Sequence, residues 1–148
     1  GAGQQKDGMD VAMCTFDIPN LKAWYAGAYN PLFIVRNNDI EEIRADRMPI
    51  GIYEDDGGNT FTTHEIDLQK GDSLYVFSDG FVDQFGGPKG KKFMGKRFKQ
   101  TLIDVQNRSM DEQRDYLNQI IEEWKTHPDQ PGGGSEQMDD ILVIGVKV

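Results

Sequence analysis

One cysteine, Cys14, stands among 148 residues. A lone thiol excludes a disulfide framework and a cysteine-based zinc site. Histidine is almost as scarce, and neither His64 nor His127 has a second ligand at metal spacing. Cations are the minority charge, 16 Lys and Arg against 25 Asp and Glu, for a net charge of −9. No basic stripe appears apart from the lysines after Asp79, so nucleic-acid binding is not expected. No apolar run reaches membrane-spanning length, and no signal-peptide pattern opens the chain. The expectation is a chain in the cytoplasm that makes no membrane contact, with any membrane anchor lying in a parent protein. Repeats, low-complexity tracts and an internal linker are also lacking, which leaves one domain of ordinary size. Residues 1–6 read as a tag or disordered lead-in, and residues 7–148 as the domain.

What is present is a series of strands followed by helices. "DVAMCTFDI" alternates two sets of residues, and "LKAWYAGAY" reads as its hairpin partner across a turn at Asp17 to Asn20. "NPLFIVRNND" and "IEEIRA" form the next pair around Asn37-Asn38-Asp39. "EDDGGNT" is a loop, "FTTHEIDL" a strand, "QKGD" a turn, and "SLYVFS" a short, almost wholly apolar, buried strand. The period then changes. From Met94 to Gln106, Phe98, Leu102 and Val105 share one helical face. Ser109 and Glu112 make a capping box, with Asp111 and Glu112 at the positive end of the helix it starts. Met110, Leu117, Ile120, Ile121 and Trp124 stripe that helix to about Lys125. "THPDQPGGGSEQ" breaks it, and "ILVIGVKV" closes the chain as a β-branched strand. This order is α+β rather than alternating βαβ.

Two acidic sites sit at strand ends. Asp79 follows "SLYVFS", and Asp139 and Asp140 precede "ILVIGVKV". If the two strands are antiparallel neighbours, Asp79 and Asp139 reach the same sheet edge. Carboxylates held that close repel unless a cation lies between them or one takes a proton. Oxygen donors of this kind suit Mg²⁺, Mn²⁺ or Ca²⁺. A small-residue turn at Gly80 would let backbone or water approach such an ion closely. The alternative is that Asp-Gly is only a turn and the paired acids only a loop.

"DSLYVFSDGFVDQFGG" and "QMDDILVIGVKV" resemble the last two motifs of PPM-type metal-dependent protein serine/threonine phosphatases, in their SpoIIE-like bacterial branch. "YAGAYNPLFIVR" followed by "MPIGI" is similar to the middle segment of that branch. The resemblance runs from about Asp7 to Val148. It implies a β-sandwich with flanking helices around two divalent cations, Mn²⁺ or Mg²⁺. It assigns Asp79 and Asp139 as metal ligands, with Gly80 and Asp140 in supporting places. The implied chemistry is in-line attack on phosphoserine or phosphothreonine by a metal-activated water. The implied substrate is a phosphorylated regulatory protein, such as an anti-sigma-factor antagonist, and the implied partner is an N-terminal sensor region of the parent protein. Nothing here matches the "GD-x-x-GHG"-like motif that carries the family's other acidic ligands. Asp7 and Asp10, in "KDGMD", resemble the lead-in to a later strand instead. The chain is therefore expected to be the C-terminal portion of the domain, inactive alone and prone to dimerise. The competing reading is a non-catalytic module that binds phosphoproteins on the same scaffold.

Other residues take lesser roles. Lys89, Lys91 and Lys92 could attract a phosphoprotein, although a solvated loop is the commoner use of such a run. His64 and His127 read as surface residues, and Cys14 as a structural thiol. Trp24 and Tyr25, adjacent on a strand, should point to opposite faces.

Overall fold

The computed structural model describes residues 8–47, 50–51 and 61–148. The loop "EDDGGNT" lies outside them. In chain order the elements are β1 (Gly8–Met9), β2 (Val11–Asp17), β3 (Lys22–Ala28), β4 (Leu32–Arg36), β5 (Asp39–Ile43), β6 (Ile50–Gly51), β7 (His64–Asp67) and β8 (Ser73–Phe77). Then come α1 (Gly80–Asp83), β9 (Phe85–Gly86), β10 (Lys91–Lys92), α2 (Gly95–Asp104), α3 (Met110–Lys125) and β11 (Val143–Lys147).

Two antiparallel sheets make the frame. One has the order β11-β8-β4-β5 and the other β2-β3-β7. The β4–β5 hairpin turns through Asn37 and Asn38, both at positive φ (51° and 59°). That two-residue turn matches the twist of the paired strands, and asparagine tolerates its backbone. The expected hairpin between β2 and β3 is also present, with the Asn20 amide donating to Asp17 Oδ2 at 2.8 Å.

The four-stranded sheet has a core on each side. Leu32, Ile34 and Leu74 point toward Ala23, Tyr25 and Ile66 of the three-stranded sheet. Phe33, Val35, Tyr75 and Phe77 point the other way, toward Phe98, Leu102, Leu117 and Ile121 of α2 and α3. Strands buried on both faces read as continuous apolar runs, which explains "LFIVR" and "SLYVF". The result is a β-sandwich flanked by helices, as the family resemblance implies. Tyr25 is wholly buried and Trp24 is not, so the two aromatics do take opposite faces.

The helices follow their sequence signals. Ser109 Oγ accepts from the Glu112 N–H (3.2 Å), and the Glu112 carboxylate accepts from the Ser109 N–H (3.4 Å), completing the capping box. Three features depart from expectation. Residues 80–83 form a short helix, Phe85–Gly86 pair with Lys91–Lys92 as a small ribbon, and Gly8–Met9 pair with Ile50–Gly51. All are shorter than the window in which periodicity can be read. No helix among the described residues is long and apolar enough to cross a membrane.

Candidate active site

The β8–β11 pairing builds the site. The strands are antiparallel, with Phe77 opposite Val143. Ser78 extends the ladder, its N–H donating to the Leu142 carbonyl at 2.9 Å. The Ser78 hydroxyl then closes the end of the sheet. It donates to the Asp140 carbonyl (2.8 Å) and accepts from the Leu142 N–H (3.0 Å). Asp79 and the Asp139–Asp140 pair therefore leave the sheet at one edge.

Gly80 keeps the two segments in contact. A Cβ there would lie 2.8 Å from the Asp140 carbonyl carbon and 3.1 Å from Ile141 Cα, and nearer still to the Asp140 carbonyl oxygen. The close contact at Gly80 is made by the Asp140 backbone. Asp140 contributes through its carbonyl, while its side chain is exposed.

Asp79 occupies the N-cap of α1, and its carbonyl accepts the Asp83 N–H at 2.9 Å. Its side chain makes no capping bond, so turn formation leaves the carboxylate uncommitted. Burial raises the Asp79 pKa above the usual carboxylate value, and the charges of Asp83, Asp10 and Asp139 raise it further. A cation at this edge would reverse that penalty. Asp139 Oδ1 accepts the Asp140 N–H at 2.8 Å, and Gln137 Nε2 donates to the Asp139 carbonyl at 3.0 Å.

Two neighbours of Asp79 had no role in the sequence reading. Asp10 leads directly into β2, as the sequence implies, and its charge also reaches Asp79. Asp83 follows from the helical turn that begins at Asp79. Ser78 was missed as well; its only signal is a hydroxyl residue at the end of an apolar strand. The donor chemistry of this edge suits a hard divalent cation. Among the described residues, however, no group of three or more His, Cys, Asp or Glu is assembled to hold a metal. A hard ion takes about six oxygens, so these carboxylates could supply only part of its shell.

The three lysines divide. Lys89, Lys91 and Lys92 are all exposed. Lys92 reaches Asp83 (3.4 Å) and shares a recess with Asp139, whereas Lys89 and Lys91 do not line that recess. His64 stacks on Tyr25, with ring centroids 6.2 Å apart. His127 Nδ1 accepts the Asp129 N–H at 3.2 Å. Burial pushes the Cys14 thiol up to about 11, which suits a structural residue.

The fold is a β-sandwich with flanking helices. Solved structures share it. The SiaA-PP2C domain of Pseudomonas aeruginosa superposes with a TM-score of 0.79 at 24% identity, over 94% of this chain and 51% of that one. The phosphatase domain of the cell fate determinant SpoIIE from Bacillus subtilis gives a TM-score of 0.66 at 16% identity, over 93% and 57%. Its Mn-presoaked form gives 0.65 at 20% identity, over 94% and 56%. The chain thus spans little more than half the length of these domains. A comparison with curated protein sequences gives no match. Residues 5–148 match the family described as Stage II sporulation protein E (SpoIIE), and the chain belongs to that family.

Proposed function

We propose that this chain is part of a metal-dependent phosphatase that hydrolyses phosphoserine or phosphothreonine on a regulatory protein. The observation that carries the reading is the β8–β11 register, which delivers Asp79 and Asp139 to one edge. In this reading Asp79 and Asp139 would hold divalent cations, Mn²⁺ or Mg²⁺, from one side, with Gly80 and Asp140 keeping the edge in shape. When bound, such ions neutralise phosphoryl charge and activate water. The substrate class we favour is a phosphorylated anti-sigma-factor antagonist or a similar signalling protein, with the domain acting as the output of an N-terminal sensor.

The 148-residue chain by itself should have little or no activity, because the described carboxylates fall short of a full coordination shell. Leu142, just before β11, and Ile144, within it, are exposed, and β11 is an edge strand of its sheet among the described residues. An apolar sheet edge favours self-association, so the chain should dimerise at high concentration, as light scattering would reveal.

The test compares this chain with one extended upstream by about 60 residues of its parent, a length set by ordinary domain size. Phosphate release from a phosphoserine protein is followed with Mn²⁺ and with chelator. Metal-dependent turnover by the longer chain only is expected. Robust turnover by the short chain would refute the split site. Absence of turnover by both would favour a non-catalytic module that holds phosphoproteins.

A further inference from the structure

Beside the acidic edge lies a recess of about 230 Å³ whose walls include Gly80, Asp83, Phe85, Lys92, Met138 and Asp139. Its apolar side chains are held open to solvent: Phe85 is 44% and Met138 80% exposed. Lys92 Nζ lies 5.8 Å from the Phe85 ring centroid. A buried residue fixes the walls relative to one another. Gln84 Nε2 donates to the Phe85 carbonyl and to the Glu136 carbonyl, each at 3.0 Å, tying the ribbon to the loop that carries Met138. The Gln84 carbonyl accepts from Trp124 Nε1 (3.0 Å) and from the Phe93 N–H (2.9 Å). The recess is therefore preorganised, which lowers the ordering cost of binding.

We propose that Phe85 and Met138 form a specificity pocket for an apolar side chain near the phosphorylated residue of the substrate, with Lys92 at its rim attracting the phosphoprotein's negative charge. The inference rests on the phosphatase reading above and adds a sequence preference to it. Size favours this occupant. The volume is below the roughly 300 Å³ at which small-molecule pockets begin, and it suits one side chain. Position favours it too. Asp139 and Gly80 belong both to the recess and to the candidate metal edge, so a peptide whose phosphate reaches that edge passes the recess. An extended peptide advances ~3.3 Å per residue, so a recess adjoining the edge is met by a residue close in sequence to the phosphoserine.

The test labels the methionine methyls with ¹³C and titrates the chain, in Mg²⁺, with two phosphoserine peptides that differ only in Leu or Gly beside the phosphoserine. The Met138 methyl should shift, and the Gly peptide should bind about tenfold more weakly, the discrimination typical of one apolar side chain. Phe85→Ser, at an exposed position, should erase the preference. Equal affinities, no binding of either peptide, or a stationary Met138 methyl would overturn the proposal. The same peptides given to the upstream-extended chain with Mn²⁺ separate the two readings. Binding preference without phosphate release leaves the pocket standing and removes the catalytic reading. Phosphate release at equal rates from both peptides removes the pocket alone.

Discussion

Replacing Gly80 with alanine should damage both the fold and the site, by an amount the geometry sets. The added methyl would sit 2.8 Å from the Asp140 carbonyl carbon and 3.1 Å from Ile141 Cα. These are backbone atoms, which cannot swing aside as a side-chain tip can. Overpacking of this kind costs ~1–3 kcal/mol. For a domain of this size each kcal/mol lowers Tm by about 2–4 °C, so Gly80→Ala should melt roughly 2–12 °C below the parent. The strain has one easy outlet. β8 is held between β4 and β11, whereas β11 is an edge strand, so the 139–141 segment should yield. Asp139 then moves away from Asp79, and any protection by Mn²⁺ against heat should shrink along with Tm. Thermal melts by circular dichroism, with and without Mn²⁺, measure both effects. Gly95→Ala is the control, since its Cβ would meet nothing within 4 Å at the first residue of α2. It should melt no lower than the parent, because alanine is the better helix former. A Gly80→Ala chain melting within about 1 °C of the parent would sink the close-contact reasoning.

Asp79→Asn should stabilise the metal-free chain. Burial, then the neighbouring acids, raise the folded pKa of Asp79, so stability falls as pH climbs through the interval between unfolded and folded values. The variant should melt higher than the parent at pH 7, and the gap should close below about pH 3.9, the ordinary carboxyl value. Asp72 behaves oppositely. Burial would raise its pKa, but Arg36 (2.9 and 2.6 Å) and the Gln69 N–H (2.8 Å) together hold it below the ordinary value. Its contribution is present above about pH 3.9 and is lost as pH falls toward the folded value. Asp72→Asn should cost about 1–3 kcal/mol in urea unfolding at pH 7 and flatten the acid limb of the stability curve. A curve unchanged at low pH would count against the pairing. Cys14, raised to about 11, should be roughly one part in 10³ thiolate at pH 8, against about a quarter for a free thiol. Its reaction with Ellman's reagent should be slow in buffer and fast in guanidinium, and equal rates would refute its burial.

Sequence legibility tracked the length of the pattern. The "SLYVFS" run and the stripe from Met110 to Trp124 were readable because many residues repeat one constraint: burial on two faces in the first, one helical face in the second. Residues 80–93 were not. Their four-residue helix and two-residue strands are held by tertiary contacts, notably the Gly86 and Gly87 backbone against Trp124, with the Gly87 N–H donating to the Trp124 carbonyl at 2.8 Å. A glycine-rich segment looks like a loop until the indole that organises it is in place. The proximity of Asp10 to Asp79 is hidden for a related reason. Local pattern placed it before a strand, while its closeness to Asp79 depends on how the two sheets pack.

The same packing explains why residues that never touch the acidic edge control it. β8 sends Leu74 and Val76 to one core and Tyr75 and Phe77 to the other. A one-residue slip against β4 would exchange the two sets, driving Tyr75 and Phe77 into a core already filled by Tyr25, Ile66 and Leu68. It would also take the Tyr75 hydroxyl away from Gln113 Oε1 (2.6 Å) and Gln106 Nε2 (2.8 Å), leaving the buried Gln113 without that donor. The register of β8 is thus fixed twice, by volume and by a buried polar network. β11 inherits it through five paired residues from Val143 to Lys147. Asp79 and Asp139 each lie just past the ends of those strands, so their meeting is a consequence of core packing that acts at a distance. A substitution such as Tyr75→Phe, which leaves the acids untouched, should lower stability by about 0.5–1.5 kcal/mol, and divalent-ion protection should shrink with it where the lost hydroxyl loosens the edge in the folded state and raises the ion's Kd. Loss of stability with ion protection fully intact would show that the edge is held by Ser78 and Gly80 alone.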